Sequence, residues 1–151
     1  MKKVKDSVVE MTELVTPQDT NHMGSLAGGR LMHWIDIAAA MAAMRHANRP
    51  VVTKSMDSID FKYSLKLGQA VVIKAAVNRV YGTSMEVGVK VFSENLMTGD
   101  RKHTNTAYLT FVALDTDGHP IKVQPIEPET EEEIRRFDEA LIRRQLRLTH
   151  P

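Results

Sequence analysis

The sequence predicts an α+β protein in which an antiparallel sheet of about five strands wraps one long helix. The strands are indicated by alternation of apolar and polar residues, strongest in residues 83–95, where every second residue from Met85 to Val91 is apolar. The helix is indicated by residues 28–46, which are apolar nearly all the way around a helical wheel. A helix that is hydrophobic on all sides is typically buried, so we expect the sheet to enclose it.

The remaining elements follow from shorter patterns. Further strands are predicted over residues 7–15, 51–63 (where Ile59, Phe61 and Tyr63 alternate), 69–80 and 103–114, with a tight turn at Tyr81-Gly82 and another at Asp115-Thr116-Asp117-Gly118. From Pro128 onward the chain predicts a C-terminal amphipathic helix, because Thr130 and Glu133 have the spacing of a capping box. We therefore divide the chain into a domain over residues 1–125 and a helical extension over residues 126–151.

Composition excludes several classes of protein. The 151 residues suffice for a single domain with a single core. Lys and Arg number 20 against 19 Asp and Glu, and a net charge of +1 argues against a protein that binds nucleic acid through its phosphates. Without cysteine there are no disulfides or thiolate ligands, and the six histidines have no metal-ligand spacing, so we expect no metal and no cofactor. No segment predicts a membrane span or a signal peptide, and we expect a cytoplasmic protein.

Asp36 is the residue of the predicted helix that is most informative about function. A carboxylate inside an apolar helix is costly unless it has a partner or faces a cleft. The small residues Ala39 and Ala40 leave space beside it. Two interpretations remain open from the residues alone: a catalytic carboxylate, or half of a structural ion pair with Arg30, His33 or a strand lysine.

The segment just before this helix contains three glycines in six residues: Gly24, Gly28 and Gly29. Glycines let another molecule approach the backbone closely, and N–H groups at a helix start bind an anion or an oxyanion. The alternative interpretation is a tight loop that only leads the chain into the helix.

Several motifs together resemble a known family. They are Asp19-Thr20-Asn21, Gly24, Gly28-Gly29, Met32-His33-Trp34-Ile35-Asp36, Ser55-Met56-Asp57-Ser58-Ile59-Asp60-Phe61, Gly82-Thr83-Ser84-Met85-Glu86-Val87 and Thr110-Phe111-Val112-Ala113-Leu114-Asp115. In order and spacing they resemble the hotdog-fold acyl-CoA thioesterases, in the branch of the bacterial YciA-type enzymes and the brain-type acyl-CoA hydrolase. The chain departs from that family's usual pattern at Ser64 and Leu65, where a proline is common, and at Ala38 and Ala39, where glycine is common.

The resemblance implies an acyl-CoA hydrolase that releases a free fatty acid and CoA without a metal. It implies that Asp36 is the catalytic acid, acting as general base or as nucleophile, and that Asn21 is the catalytic asparagine, orienting the water or the carbonyl. The N–H groups of Gly28 and Gly29 are expected to form the oxyanion site. CoA is expected to contact a surface near four residues: Arg79, Gly82, Thr83 and Ser84. A non-catalytic acyl-CoA sensor of the same fold remains the alternative.

Helix geometry predicts that the active site is shared between two chains. Gly28 and Asp36 are eight residues apart, which corresponds to about 12 Å along a helix axis, more than an aspartate side chain spans. Two such helices placed antiparallel across a two-fold axis would bring Asp36 of one chain to the glycine end of the other. The resemblance likewise implies a homodimer, assembled as a trimer of dimers into a homohexamer.

Overall fold

The computed structural model describes residues 1–57 and 63–149, which contain seven strands and two helices. In chain order these are β1 (Lys2–Lys3), β2 (Val9–Leu14), α1 (Gly28–Ala47), β3 (Val51–Asp57), β4 (Ala70–Tyr81), β5 (Ser84–Glu94), β6 (Arg101–Ala113), β7 (Ile126–Glu127) and α2 (Glu131–Thr149). The central helix and the five longer strands agree with the predicted elements. The part of the predicted strand 51–63 that contains Ile59 and Phe61 lies outside the described residues.

Five strands form one antiparallel sheet in the order β2-β4-β5-β6-β3. Helix α1 contacts all five of these strands, so the predicted α+β architecture is confirmed. Strand β3 lies at one edge of the sheet, and its outer side has no strand partner among the described residues. Neither helix in the described part of the chain has the length and apolarity that crossing a membrane requires.

Only one face of α1 is covered by the sheet, so the prediction of a helix buried on every side is wrong for the single chain. The covered face consists of Leu31, Trp34, Ile35, Ala38, Ala39, Ala42, Ala43 and His46. On the opposite face Ile37 and Met44 are 38% and 41% exposed. The physical reason is simple: a sheet can cover one side of a helix, and a second apolar side needs another surface.

The turns differ slightly from the predictions. Strands β4 and β5 are joined by Gly82 and Thr83, one residue later than predicted, and Gly82 has a φ of +59°, a conformation that favours glycine. The turn at Asp115 is present as predicted, since its carboxylate accepts hydrogen bonds from the backbone of Asp117 and His119. The short parallel pair of β1 and β7 was not predicted.

Helix α2 begins at the predicted capping box, in which the Glu133 N–H donates to Thr130 Oγ1 at 3.0 Å. The helix packs over the sheet, and a buried ion pair connects it to strand β5. Arg143 donates two hydrogen bonds, of 2.8 and 2.9 Å, to the carboxylate of Glu86, which has no exposed surface. Asn78 Nδ2 donates to the same carboxylate at 3.1 Å. Gly88 permits this arrangement, because a Cβ at that position would lie 2.6 Å from the Asn78 amide.

A buried histidine closes the C-terminal end of α1. The His46 ring has no exposed surface, and its Nε2 donates to the Gln124 carbonyl at 2.8 Å. Nδ1 is buried and has no partner among the described residues. Burial, together with the nearby Lys2 ammonium, lowers the pKa of His46 below its ordinary value of 6.5, against smaller opposing effects of Gln124 and Asp6. His46 is therefore a neutral group in the folded protein.

The lowered pKa of His46 predicts that the folded protein becomes less stable at acidic pH. Because the unfolded chain binds a proton at His46 more readily than the folded chain does, the free energy of unfolding should fall as the pH drops below 6.5. We expect the loss between pH 7 and pH 5, measured by urea denaturation, to be smaller in His46→Gln than in the unaltered protein. The exposed His119→Gln serves as control and should lose as much as the unaltered protein. Identical pH profiles for all three proteins would contradict the prediction.

Candidate active site

The loop that precedes α1 is held in place by its own hydrogen bonds. Asn21 Oδ1 accepts hydrogen bonds from the N–H groups of Met23 at 2.8 Å and Ser25 at 3.2 Å. Gly24, with a φ of +75°, makes the turn, and its N–H donates to the Asn21 carbonyl. The Asn21 side chain is thus oriented through its oxygen. Its Nδ2 group has no acceptor among the described residues and is exposed.

Asp19 connects this loop to the first turn of α1 through an ion pair with Arg30. Its carboxylate accepts hydrogen bonds from the hydroxyl and N–H of Thr16, at 2.7 and 3.1 Å, and lies 3.3 Å from Arg30 Nε. The Thr16 hydrogen bonds, with a smaller contribution from Arg30, lower the pKa of Asp19. Arg30 is therefore engaged by Asp19 and not by Asp36.

The first turn of α1 presents open backbone donors. The residue in the N-cap position is Ala27, which offers no side-chain acceptor, whereas helices usually begin with Ser, Thr, Asp or Asn. Within residues 1–57 and 63–149, no group accepts a hydrogen bond from the N–H of Gly28 or Gly29. A Cβ at Gly29 would meet no atom within 4 Å, so the space beside the helix start is open.

Asp36 lies on the uncovered face of α1 and is half-buried. Thr53, on the edge strand β3, donates a hydrogen bond to Asp36 Oδ1 at 2.7 Å. Within the described ranges Asp36 forms no ion pair with Arg30, His33 or a lysine. Lys62, in the predicted strand 51–63, lies outside the described residues. Asp36 Oδ2 accepts no hydrogen bond from the described residues. The sequence did not single out Thr53, because its contact with Asp36 arises from packing of β3 against α1.

The structure brings Asn21 and the helix start together but not Asp36. A groove of about 440 Å³ is lined by Asn21, Met23, Ser25, Leu26, Gly28, Leu31, Tyr63, Ser64, Leu65 and Lys66. Asp36 is absent from the lining, as the eight-residue separation along α1 predicts. A single chain thus carries the N–H groups of the helix start and the Asp36 carboxylate at two different places.

The four residues predicted to contact CoA lie at the end of the β4-β5 hairpin. Gly82 and Thr83 form the turn, and Ser84 Oγ donates to the Tyr81 carbonyl at 3.2 Å. Arg79 lies against α2: its Nη1 donates to the Phe137 carbonyl at 3.0 Å, and its guanidinium stacks 3.8 Å from the Phe137 ring. Part of the guanidinium is therefore already engaged.

One group of side chains in the described residues has the composition of a cation site. Ligand atoms of Asp115, Asp117 and His119 lie within 4.8 Å of one another in the turn after β6. The Asp115 carboxylate faces the backbone of its own turn, as described above, and acidic turns of this kind are common without an ion. None of the three residues lines the groove at the start of α1.

Comparison with known proteins shows the family to which this chain belongs. The thioesterase superfamily matches residues 23–99. An "uncharacterized acyl-CoA thioester hydrolase YkhA" of Bacillus subtilis (strain 168) is 48% identical over 130 residues, which is 86% of this chain and 76% of that protein. The chain belongs to the thioesterase superfamily.

Solved structures similar to this chain are acyl-CoA thioesterases. A hexameric acyl-CoA thioesterase, in its apo form, is 46% identical with a TM-score of 0.94, covering 97% of this chain and 94% of that one. An acyl-CoA hydrolase of Staphylococcus aureus, solved with butyryl-CoA and CoA, is 38% identical with a TM-score of 0.93, covering 98% and 90%. The fold is thus the hotdog fold of the acyl-CoA thioesterases, as the resemblance implied. The Staphylococcus enzyme has also been solved with an aspartate, an asparagine and a threonine each replaced by alanine.

The empty N-cap predicts that α1 can be stabilised at its start. Ala27 has an extended backbone (φ −65°, ψ 137°), which suits an N-cap serine whose hydroxyl accepts from the first turn. We expect Ala27→Ser to raise the free energy of unfolding by about 1 kcal/mol in urea denaturation. Ala27→Val, which supplies bulk without an acceptor, is the control. If serine gives no more stability than valine, the N–H groups of the first turn are not free donors.

Proposed function

We propose that the protein is a hydrolase that cleaves acyl-CoA thioesters into a free fatty acid and CoA. The observation that carries this proposal is the pair of open N–H groups at Gly28 and Gly29 beside Asn21, in a chain of the thioesterase superfamily. Such donors stabilise the oxyanion that forms when a thioester carbonyl is attacked. The names of its relatives support the same substrate class.

The roles of three side chains follow from geometry and from the Staphylococcus aureus enzyme. In that protein the asparagine, aspartate and threonine that were replaced stand at the same sequence separations as Asn21, Asp36 and Thr53 here. We assign to Asp36 the role of general base that activates water, or of nucleophile that attacks the substrate. Thr53 is a positioning residue, because its hydrogen bond to Oδ1 orients the carboxylate, while Oδ2 accepts no hydrogen bond from the described residues. Asn21 Nδ2 is the free donor that orients the carbonyl or the water.

The proposed reaction uses only protein groups and water. Asp36 takes a proton from water as the water oxygen bonds to the thioester carbon, and the Gly28 and Gly29 N–H groups hold the oxyanion. The carbon–sulfur bond then breaks, and the sulfur of CoA takes the proton from Asp36. In the alternative route Asp36 attacks the carbonyl carbon directly, the carbon–sulfur bond breaks, and CoA leaves as a thiolate. Water then hydrolyses the resulting anhydride, which returns the Asp36 carboxylate and releases the acid, while one proton of that water goes to the CoA thiolate. Both routes give the same products and need no metal or cofactor.

Two chains are required to assemble this site. The uncovered face of α1 and the unpaired edge of β3 adjoin each other at the Asp36–Thr53 contact. An exposed strand edge beside exposed apolar side chains is a surface that proteins normally cover. A two-fold dimer that places two α1 helices antiparallel covers both, and it brings Asp36 of one chain to the helix start of the other.

Three further elements of the proposal extend beyond this site. The dimers assemble as a trimer into a hexamer, and the solved apo-thioesterase is likewise hexameric. The hairpin residues Arg79, Gly82, Thr83 and Ser84 form a contact surface for the CoA arm. A cytoplasmic location stays a prediction from the sequence.

The first test separates an enzyme from a non-catalytic acyl-CoA sensor. We expect release of CoA thiol from palmitoyl-CoA and from short acyl-CoAs, followed with a thiol dye, and we expect Asp36→Asn to abolish it. Asparagine keeps the acceptor for Thr53, so the fold and the melting temperature should be retained. Thr53→Ser, which keeps the hydroxyl, is the active control. Full turnover in Asp36→Asn would exclude the catalytic role, and binding without turnover in the unaltered protein would favour the sensor.

The second test asks whether two chains share each site. Asp36→Ala and Asn21→Ala chains should each be inactive alone. If Asn21 works with the helix start of its own chain and with Asp36 of the other, a mixed dimer has one intact site. Free subunit exchange should then restore about a quarter of the original activity. Mixtures that stay inactive after exchange, verified by mass spectrometry, would place both residues of one chain in the same site.

A further inference from the structure

Strand β3 presents side chains to both helices, although it lies at the edge of the sheet. Paired residues of neighbouring strands share a face, so each residue of β3 faces the same side as its partner in β6. Thr53 pairs with Phe111, which belongs to the core on the side of α1. This agrees with the hydrogen bond that Thr53 donates to Asp36 on that helix.

The C-terminal end of the same strand faces the other helix. Asp57 pairs with Tyr108, and the Arg143 guanidinium of α2 stacks 3.6 Å from the Tyr108 ring. Arg147, one turn further along α2, donates a hydrogen bond to Asp57 Oδ2 at 3.2 Å. The two side chains of this ion pair are 29% and 34% exposed. Helix α2 is thus joined directly to the edge strand.

A β-bulge makes it possible for one strand to contact both helices. The pairing of β3 with β6 skips Lys54, which is the extra residue between Thr53 and Ser55. Side chains four residues apart in a regular strand lie on the same face, and one extra residue between them moves the second to the other face. Thr53 and Asp57 are four residues apart, and because of the bulge they face opposite sides of the sheet.

We infer that Arg147 is a positioning residue for the proposed reaction. By holding Asp57 it restrains the bulged strand, and this keeps the Thr53 hydroxyl on the Asp36 carboxylate. An edge strand is paired on one side only and a bulge interrupts that pairing, so β3 depends on a further restraint. The inference rests on the proposed function and extends it to a residue of α2 that touches neither substrate nor reacting atoms.

The first test is a double-mutant cycle on turnover of a short acyl-CoA. Arg147→Ala should lower kcat about two- to fivefold, the range that a partly exposed ion pair supplies, and leave KM unchanged. Because this effect acts through Thr53, the same change should lower kcat no further in Thr53→Ala. Arg147→Lys should restore most of the lost kcat. The matched control is Arg135→Ala, an equal change of charge on the same helix, where the partners Glu132 and Glu139 also belong to α2.

Amide hydrogen exchange makes the same comparison without turnover. Exchange over residues 51–57, followed by mass spectrometry, should be about two- to fivefold faster in Arg147→Ala and unchanged in Arg135→Ala. Unchanged exchange in Arg147→Ala, or an equal loss of kcat from this change with threonine and with alanine at position 53, would overturn the inference. Faster exchange in a protein that hydrolyses no acyl-CoA would instead refute the proposed hydrolase activity and leave the restraint on β3 standing.

Discussion

The two apolar faces of α1 are the constraint on which the rest of this structure depends. One sheet can bury one face of a helix, and the five strands here cover the face that runs from Leu31 to His46. Burying that face provides the hydrophobic driving force for the domain. The described part of the chain leaves the opposite face uncovered, and Asp36 lies on that face. The position of the Asp36 carboxylate and the uncovered apolar surface therefore both follow from the sheet covering one face of α1.

The start of α1 shows how the proposed function would limit the stability of the helix. A polar residue at position 27 would satisfy a first-turn donor, yet the chain has alanine there and glycine at the next two positions. Without a cap, α1 loses some intrinsic stability at its start. The loop compensates elsewhere, through Asp19 with Thr16 and through the hydrogen bonds of Asn21 Oδ1. The donors have no acceptor in the described part of the chain, while these hydrogen bonds hold the loop that leads into them. The proposed oxyanion site needs such preorganised donors.

Much of this architecture could be predicted from the sequence, because its signals are local. Alternation along β5 and the apolar wheel of residues 28–46 reflect periodicities that the chain itself displays. The motifs predict Asn21, Gly28 and Asp36 as site residues, and this stays a prediction. Thr53, by contrast, becomes informative only when β3 packs on α1. The engagement of Arg79 by α2 is a contact across 58 residues of sequence, which no local pattern reveals.

The ion pair between Glu86 and Arg143 has a consequence for the order in which the chain is completed. Glu86 lies within the central strand β5, yet its partner follows 57 residues later in the sequence. During synthesis the strands emerge first, and a sheet formed at that stage would enclose a carboxylate without its counter-ion. Enclosing such a charge is costly, so tight packing around Glu86 is favoured only once α2 has been made. The last helix of the chain thereby controls when the middle of the sheet can close.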